Sequence, residues 1–340
     1  MATSRIAVVI VAYQSHDDVL QALAALEHQT LRPARTIVVE NDGADHTAAA
    51  IRVRFPDVEL IEPGLNLGFA AGNNRAFERC ADCKWVALLN PDAFPEPDWL
   101  SSLHAAAERN PAFSFFASRL IDAARPDRLD GTGDAYHVSG FAWRRDHGRA
   151  VAEVDDAEAE VFSPCAAAAM YRRSALDAVG GFDERYFCYF EDVDLAFRLR
   201  LAGHRCLSVP TSVAHHRGSA STGRESSFTL YHSHRNLVWT WVRDMPGVLA
   251  LIYAPQFLAT TFLVIAWYSA RGKAVTILRA KRDGFAEIPR LLRERRGIQV
   301  ARSVTSRDLL TQMARGRSGF TTAAGRAKGS LDEPSGDAGR

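Results

Sequence analysis

Four short apolar runs separated by helix-length stretches limit what this chain can fold into more than any other feature does. IAVVIVAY (6–13) is followed by VLQALAALEHQ, TIVVEN (36–41) by HTAAAIRVRF, and VELIEP (58–63) by FAAGNNRAFERC; KWVALLN (84–90) closes the series. Runs that stay apolar at consecutive positions are strands buried on both faces, and strands of that kind alternating with helices predict an α/β fold with a parallel sheet. Open α/β sheets bind ligands at the carboxyl ends of their strands. Those ends are the polar places here: Ala12-Tyr13-Gln14-Ser15, Glu40-Asn41-Asp42-Gly43-Ala44-Asp45, Asn66-Leu67-Gly68-Phe69 and Asn90-Pro91-Asp92. Any one of them alone reads as a turn. Four on one rim point to a site.

The usual nucleotide fingerprints are missing. There is no GxxxxGK[ST] and no GxGxxG after the first strand, which disfavours phosphate-loop hydrolases and nicotinamide dehydrogenases; Gly131-Thr132-Gly133 comes too late and reads as a loop. At 340 residues, 47% hydrophobic and 24% charged, the chain has room for a large core with an appendage. Its formal charge of +1 hides an asymmetry. Residues 271–317 hold 13 Lys/Arg against 4 Asp/Glu, whereas residues 1–270 carry an excess of 8 acids. Five scattered cysteines suggest no disulfide framework and a reducing compartment, and the lone pair Cys80/Cys83 reads as a buried helix end before it reads as a zinc site. No basic region or cleavage site precedes the first apolar run, so no secretory leader is expected. Residues 247–268 contain no charge and are long enough to cross a bilayer, although Pro255 and Gln256 interrupt them.

The second half carries the denser chemistry. In FDERYFCYFEDVDL (182–195), Glu191, Asp192 and Asp194 follow five aromatic rings. Acids in a first helical turn favour the helix dipole, which accounts for one or two of them. Aromatic walls beside a carboxylate raise its proton affinity and exclude water, which suits a general base. Asp92 in Asn90-Pro91-Asp92 either caps the next helix or holds Mg²⁺ or Mn²⁺ together with diphosphate oxygens. His215 and His216, read as a loop after the strand RCLSVP, would complete an oxygen and nitrogen shell if they met Asp92.

Taken in order, VVIVAYQS, VVENDGAD, NLGFAAGNN, LLNPDAF, GGFDERYFCYFEDVDLAFRLRLAGHR and VAHHRGSAS resemble the inverting glycosyltransferases of family 2, on a GT-A fold, and within them the bacterial rhamnosyltransferase-like branch that elongates cell-surface glycans. The resemblance spans roughly residues 5–245. It implies that Asp192 is the catalytic base with Glu191 its acidic neighbour, and that Asp92 and His215 hold a divalent cation, His216 standing in if the register differs by one. It places the donor against Ala12, Tyr13, Glu40, Asn41, Asn66, Gly68 and Asn90; Glu40 replaces the Asp usual at the nucleobase, and Asn90 the first acid of the metal motif. The implied partners are a nucleotide sugar, dTDP-rhamnose first and UDP-galactofuranose as the alternative, and a polyprenyl-diphosphate-linked glycan; no nucleic acid is expected, and self-association is left open.

The expected organisation is a GT-A domain over 1–245, with a nucleotide-binding half to about 120 and an acceptor half beyond it, then an apolar and basic helical region over 246–317 and a disordered tail over 318–340. The basic region is expected to meet anionic lipid on the cytoplasmic face of the inner membrane, as a peripheral or single-span element, with a soluble hairpin or dimer interface as the alternative. A sugar-phosphate nucleotidylyltransferase would want an Arg- and Lys-bearing glycine loop after the first strand, which AYQSHDDV lacks. A non-catalytic glycan-binding scaffold would be expected to have lost an acid from NPD or EDVD, and none is lost.

Overall fold

The computed structural model describes residues 5–42, 45–218 and 226–316. The 318–340 tail, Gly43-Ala44 and the end of the VAHHRGSAS segment lie outside the described residues. The first half follows the apolar runs closely: β1 (Ile6–Ala12), α1 (His16–Glu27), β2 (Arg35–Glu40), α2 (Thr47–Arg54), β3 (Glu59–Ile61), α3 (Gly68–Phe77) and β4 (Trp85–Leu89). β1 pairs in parallel with β2 and β4, and β2 with β3. All seven β1 residues are buried, because Ile6, Val8 and Ile10 face one core while Ala7, Val9 and Val11 face the other. That two-sided burial is why the strand shows no polar alternation.

The sheet then becomes mixed. β5 (Ala93–Pro95), α4 (Trp99–Arg109), β6 (Phe115–Asp122), β7 (Leu129–Gly131), β8 (Asp134–Tyr136), β9 (Ala142–Arg144), β10 (Ala159–Val161), β11 (Ala168–Arg172), α5 (Arg173–Val179), α6 (Glu191–Leu201) and β12 (Cys206–His216) follow. The main order is β10-β12-β6-β11-β4-β1-β2-β3, with β5 on β12 and β7 on β6. β11 runs antiparallel to both β4 and β6, whereas β12 is parallel to β6. One face is covered by α1, α2 and α4, and the other by α3, α5 and α6. α5 stops at Gly180, which is left-handed at φ 74°.

Four helices make up most of the remainder: α7 (Ser227–Asp244), α8 (Gly247–Ser269), α9 (Ala274–Ala286) and α10 (Ile288–Val300), followed by the short α11 (Ser306–Gln312). They share a core with the catalytic body, in which Tyr136, Phe162 and Phe197 meet Trp241, Phe257, Leu309 and Met313. Among the described residues, α8 is the one helix long and apolar enough to cross a membrane, with a mean hydropathy of 2.0.

Candidate active site

Two clusters hold the acids. In the first, β5 lies along the end of β12 with His216 opposite Ala93, which brings Asp92 alongside; the Arg217 amide donates to the Asp92 carbonyl oxygen at 3.0 Å. His216 Nε2 stands 3.3 Å from Asp92 Oδ1, without the alignment of a hydrogen bond, so this buried nitrogen has no hydrogen-bonded partner. Its other nitrogen, Nδ1, lies 2.7 Å from Asp130 Oδ2 on β7. Asp130 also binds the Arg144 guanidinium and accepts from His147 through its carbonyl oxygen. Burial would raise its pKa, but hydrogen bonds from His147 and His216 and the charge of Arg144 win and hold the carboxyl well below its ordinary range. Asp130 fixes the ring through Nδ1 and points Nε2 towards Asp92, the arrangement in which a carboxylate orients a metal-ligating imidazole; burial lowers the imidazole pKa, but Asp130 and Asp92 outweigh it and raise it.

His215 goes elsewhere. The pair belongs to β12 itself, not to a loop, and adjacent residues of a strand point to opposite faces, so only one can face Asp92. That one is His216; His215 Nε2 meets Glu96 at 3.1 Å. Asp92 and His216 offer one oxygen and one nitrogen donor, a set that fits Mn²⁺ or Mg²⁺. No group of three or more His, Cys, Asp or Glu among the described residues is arranged to hold a metal. A cation held by this pair would need further oxygens from a bound ligand, as cations that bind through phosphate do.

The second cluster holds Glu191, Asp192 and an acid that the sequence did not flag, Asp134. Asp192 opens α6; its Oδ2 accepts from the Ala166 amide at 3.3 Å and its Oδ1 from the Val193 amide at 2.8 Å. Burial raises the pKa of Asp192, while those amides and Arg144 pull the other way. Glu191 is driven far above the carboxylate range, first by burial and then by Asp192, and its Oε2 has no partner. Asp134 is pushed up to about 8, again by burial and then by Asp192. With one arginine among three clustered acids, burial raises all three pKa values, and the Ala166 and Val193 amides favour the charged form of Asp192. Asp194, the third acid of EDVD, points away into the protein and pairs with Arg198 and Arg243.

The segment ahead of Asp192 is strained. Phe187, Tyr189 and Phe190 all adopt positive φ, at 66°, 64° and 71°, a conformation costing about 1–3 kcal/mol per residue and held only where surroundings enforce it. The buried Asn236 amide does so: its Nδ2 lies 3.0, 3.1 and 2.6 Å from the carbonyl oxygens of Tyr186, Cys188 and Tyr189. The Phe187 carbonyl oxygen in turn accepts from the Ala70 amide at 3.1 Å. Gly68, with φ at 79°, sits where an added Cβ would lie 2.5 Å from the Phe187 ring. That close approach is why the NLGF turn needs glycine.

The remaining donor-side residues line the rim with different duties. Glu40 is buried at the end of β2, with Oε1 accepting from the Asp42 amide at 3.3 Å and Oε2 unpartnered; burial raises its pKa. Asn41 is occupied in tying the rim together, donating to the Gly68 carbonyl oxygen at 3.1 Å and accepting from Leu67 at 3.3 Å. Asn66 accepts from the Gly68 amide at 2.8 Å, a side-chain turn. Ala12 accepts the Asn41 amide at 2.9 Å, and the Asn90 amide donates to Ala167 at 2.8 Å. Tyr13 and Asn90 are half-buried on the same rim. Cys80 and Cys83 are buried free thiols just beyond α3. Asp130, Asp134 and Arg144 went unnoticed because β7, β8 and β9 are three residues each, too short for a periodic signal; two acids flanking Gly131-Thr132-Gly133 were the available clue.

Comparison with known proteins agrees with this geometry. A family model described as glycosyl transferase family 2 matches residues 7–180. N-acetylglucosaminyl-diphospho-decaprenol L-rhamnosyltransferase of Mycobacterium tuberculosis is 31% identical over 254 residues, covering 69% of this chain and 83% of the relative. Galactofuranosyltransferase GlfT1 of the same species is 29% identical over 212 residues, covering 59% and 66%. Among solved structures, GalNAc-T7 with UDP, GalNAc and Mn²⁺ superposes with a TM-score of 0.59 at 13% identity, over 74% of this chain and 50% of that one. Mannosyltransferase PcManGT from Pyrobaculum calidifontis, in complex with GDP-Man and Mn²⁺, gives 0.52 at 18%, over 97% and 88%. These two likenesses establish the GT-A fold.

Proposed function

The chain belongs to glycosyltransferase family 2, and from that premise we propose that it moves a sugar, rhamnose from dTDP-rhamnose, onto a hydroxyl of a polyprenyl-diphosphate-linked glycan with inversion at the anomeric carbon. The observation that supports the mechanism is geometric: His216 Nε2 stands 3.3 Å from Asp92, and nearby Asp192 is held by the Ala166 and Val193 amides beside Glu191 and Asp134, whose pKa values burial raises. The relative that acts on a decaprenol-linked substrate, by its name, supports the donor and acceptor chosen here.

Asp92 and His216 would hold a divalent cation, with Asp130 fixing the imidazole. Such a cation, when bound, neutralises the departing nucleoside diphosphate. Glu40 receives the nucleobase: its unpartnered Oε2 at the end of β2 can accept an imide N–H. Asp192 takes the proton of the acceptor hydroxyl as that oxygen attacks the anomeric carbon from the face opposite the diphosphate. The C1–O bond to the diphosphate breaks as the new glycosidic bond forms, so no sugar-enzyme intermediate is needed. Glu191 and Asp134, kept neutral, leave Asp192 as the one proton acceptor, and Arg144 stops its charge from being lost to burial. The basic charge of the C-terminal helices supports a site of action at the cytoplasmic face of the membrane, beside a lipid-linked acceptor.

A panel of dTDP-rhamnose, UDP-galactofuranose, UDP-glucose and GDP-mannose with Mn²⁺, read first by thermal shift and then by transfer to a decaprenyl-diphosphate-linked N-acetylglucosamine, tests the proposal. Transfer from dTDP-rhamnose that stops with excess chelator is expected. Undiminished transfer in chelator would remove the cation from the mechanism, and a preference for UDP-galactofuranose would replace the donor, as the likeness to a galactofuranosyltransferase allows.

A further inference from the structure

Deepening the membrane docking just proposed, we infer that α8 does not span the bilayer but lies in its surface plane, against anionic lipid, along its whole length. A helix of this hydropathy would ordinarily be taken for a span. Its packing says otherwise. Phe257, at the middle of α8, stacks on Trp241 of α7 with ring centroids 4.1 Å apart and planes 10° from parallel. Trp241 is itself fixed, its indole donating to the Val138 carbonyl oxygen at 3.0 Å. Near the start of α8, Leu249 is buried in the same core, and near its end Tyr268 meets His234 of α7 at 5.4 Å. A helix that touches the catalytic body at both ends and at its midpoint cannot place that midpoint at the centre of a bilayer.

The opposite face is the unusual one. Leu251, Ile252, Leu258, Phe262, Leu263 and Trp267 are all exposed, Leu251 by 80% and Phe262 by 71%. Together with the exposed Pro255, Ala259 and Ala266 they recur every three or four residues down one side of the helix. A helix on a water-facing surface carries polar side chains there; this stripe has none.

The occupant follows from charge. At the apolar stripe's end the Arg271 guanidinium sits 3.1 Å above the Trp267 ring, a pairing of interfacial aromatic and cation that suits headgroup depth. α9 continues the surface: its Ile277, Ala280 and Gly284 are buried, while Val275 and Leu278 are exposed beside Arg279 and Arg282, whose side chains are 68% and 74% exposed. Asp283 pairs with both arginines and cancels one charge. α8 and α9 both turn their buried faces to the catalytic body, so the apolar stripe and the arginines look outwards, an apolar face rimmed by cations that matches an anionic bilayer surface.

Full-length protein should co-sediment with vesicles of phosphatidylglycerol and phosphatidylcholine at least tenfold better than with phosphatidylcholine alone. Replacing Phe262 and Leu263 by Asp should cut that binding at least tenfold while transfer to a water-soluble acceptor analogue stays within twofold. In bound protein, cysteines placed at Val248 and Ala270 should both react, above the parent background, with an impermeant maleimide added outside the vesicles. Protection of one of the two would show a span and overturn the inference. So would a failure to bind vesicles, and most directly if centrifugation showed a dimer that the two aspartates dissolve, since a second copy would then cover the stripe. If Asp192→Asn left transfer intact, the reading of the site would fall and the docking result would stand, so the two failures are told apart.

Discussion

Asp192 and Asp194 are two residues apart on one helix and face opposite environments. Asp194 is fully buried and meets Arg198 at 2.8 Å as well as Arg243; Arg243 also binds Asp183 and Asp244, and Arg185 joins Asp183 to Glu294. In that region nearly every acid has its cation. Around Asp192, three acids share one arginine, and two carboxylate oxygens, Glu191 Oε2 and Asp134 Oδ1, have no partner. Glu191 and Asp134 are buried much as Asp194 is, though Asp192 itself is partly exposed, so what separates scaffold from chemistry is above all whether the charges balance. A matched cluster locks α6 to α7; an unmatched one keeps a proton acceptor ready.

The largest expected effect tests the unmatched side. Asp192→Asn should lower turnover by about 10²–10⁴, the scale of a lost general base, with the donor KM changed only a few fold; steady-state kinetics decides it. Arg243→Met attacks the matched side, leaving Asp194 and Asp244 buried without their shared cation, and should cost about 3–5 kcal/mol in denaturant unfolding. If Asp192→Asn proved equally destabilising, the contrast between the two regions would collapse. His216→Ala should abolish the Mn²⁺-induced rise in Tm while His215→Ala keeps it, since only His216 faces Asp92.

The smallest effect sharpens the comparison through pH. Folding raises the pKa of Asp134 to about 8, through burial first and Asp192 second. The folded chain therefore holds a proton that the unfolded chain releases near its ordinary value, and stability falls as pH rises from about 4 to about 8. Asp134→Asn removes that loss. Its Tm should exceed the parent's by about 1–2 °C or more at pH 8, equivalent to roughly 1 kcal/mol in a chain of this length, with the gap closing towards pH 4. The same shift direction at Asp192 means that transfer should fade with acidification above the ordinary carboxylate range.

The nucleotide-binding half was legible because central parallel strands advertise themselves as unbroken apolar runs, and β1, β2 and β4 fall where those runs predict. The acceptor half hid its contributors for a local reason. β7, β8 and β9 are too short to show a period, yet they carry Asp130, Asp134 and Arg144. Which histidine of the pair faces Asp92 depended on β12 reaching His216, since one residue of register reverses the faces. Hydropathy marked α8 but could not tell a span from a half-buried helix; the Trp241–Phe257 stack separates the two, and it is a contact between side chains sixteen positions apart.

One helix, α7, therefore touches both ends of the problem: Asn236 grips the loop ahead of Asp192, and Trp241 braces α8, the helix proposed to lie against lipid. With α8 afloat, the height of the reacting hydroxyl above the headgroups is set by stacked helices about 10 Å apart, not by a pliant tether. The enzyme then works as a fixed-gauge tool. It should measure its acceptor by how far the glycan stands off the lipid, and a lipid-linked oligosaccharide grown past that stature should pass beyond its reach.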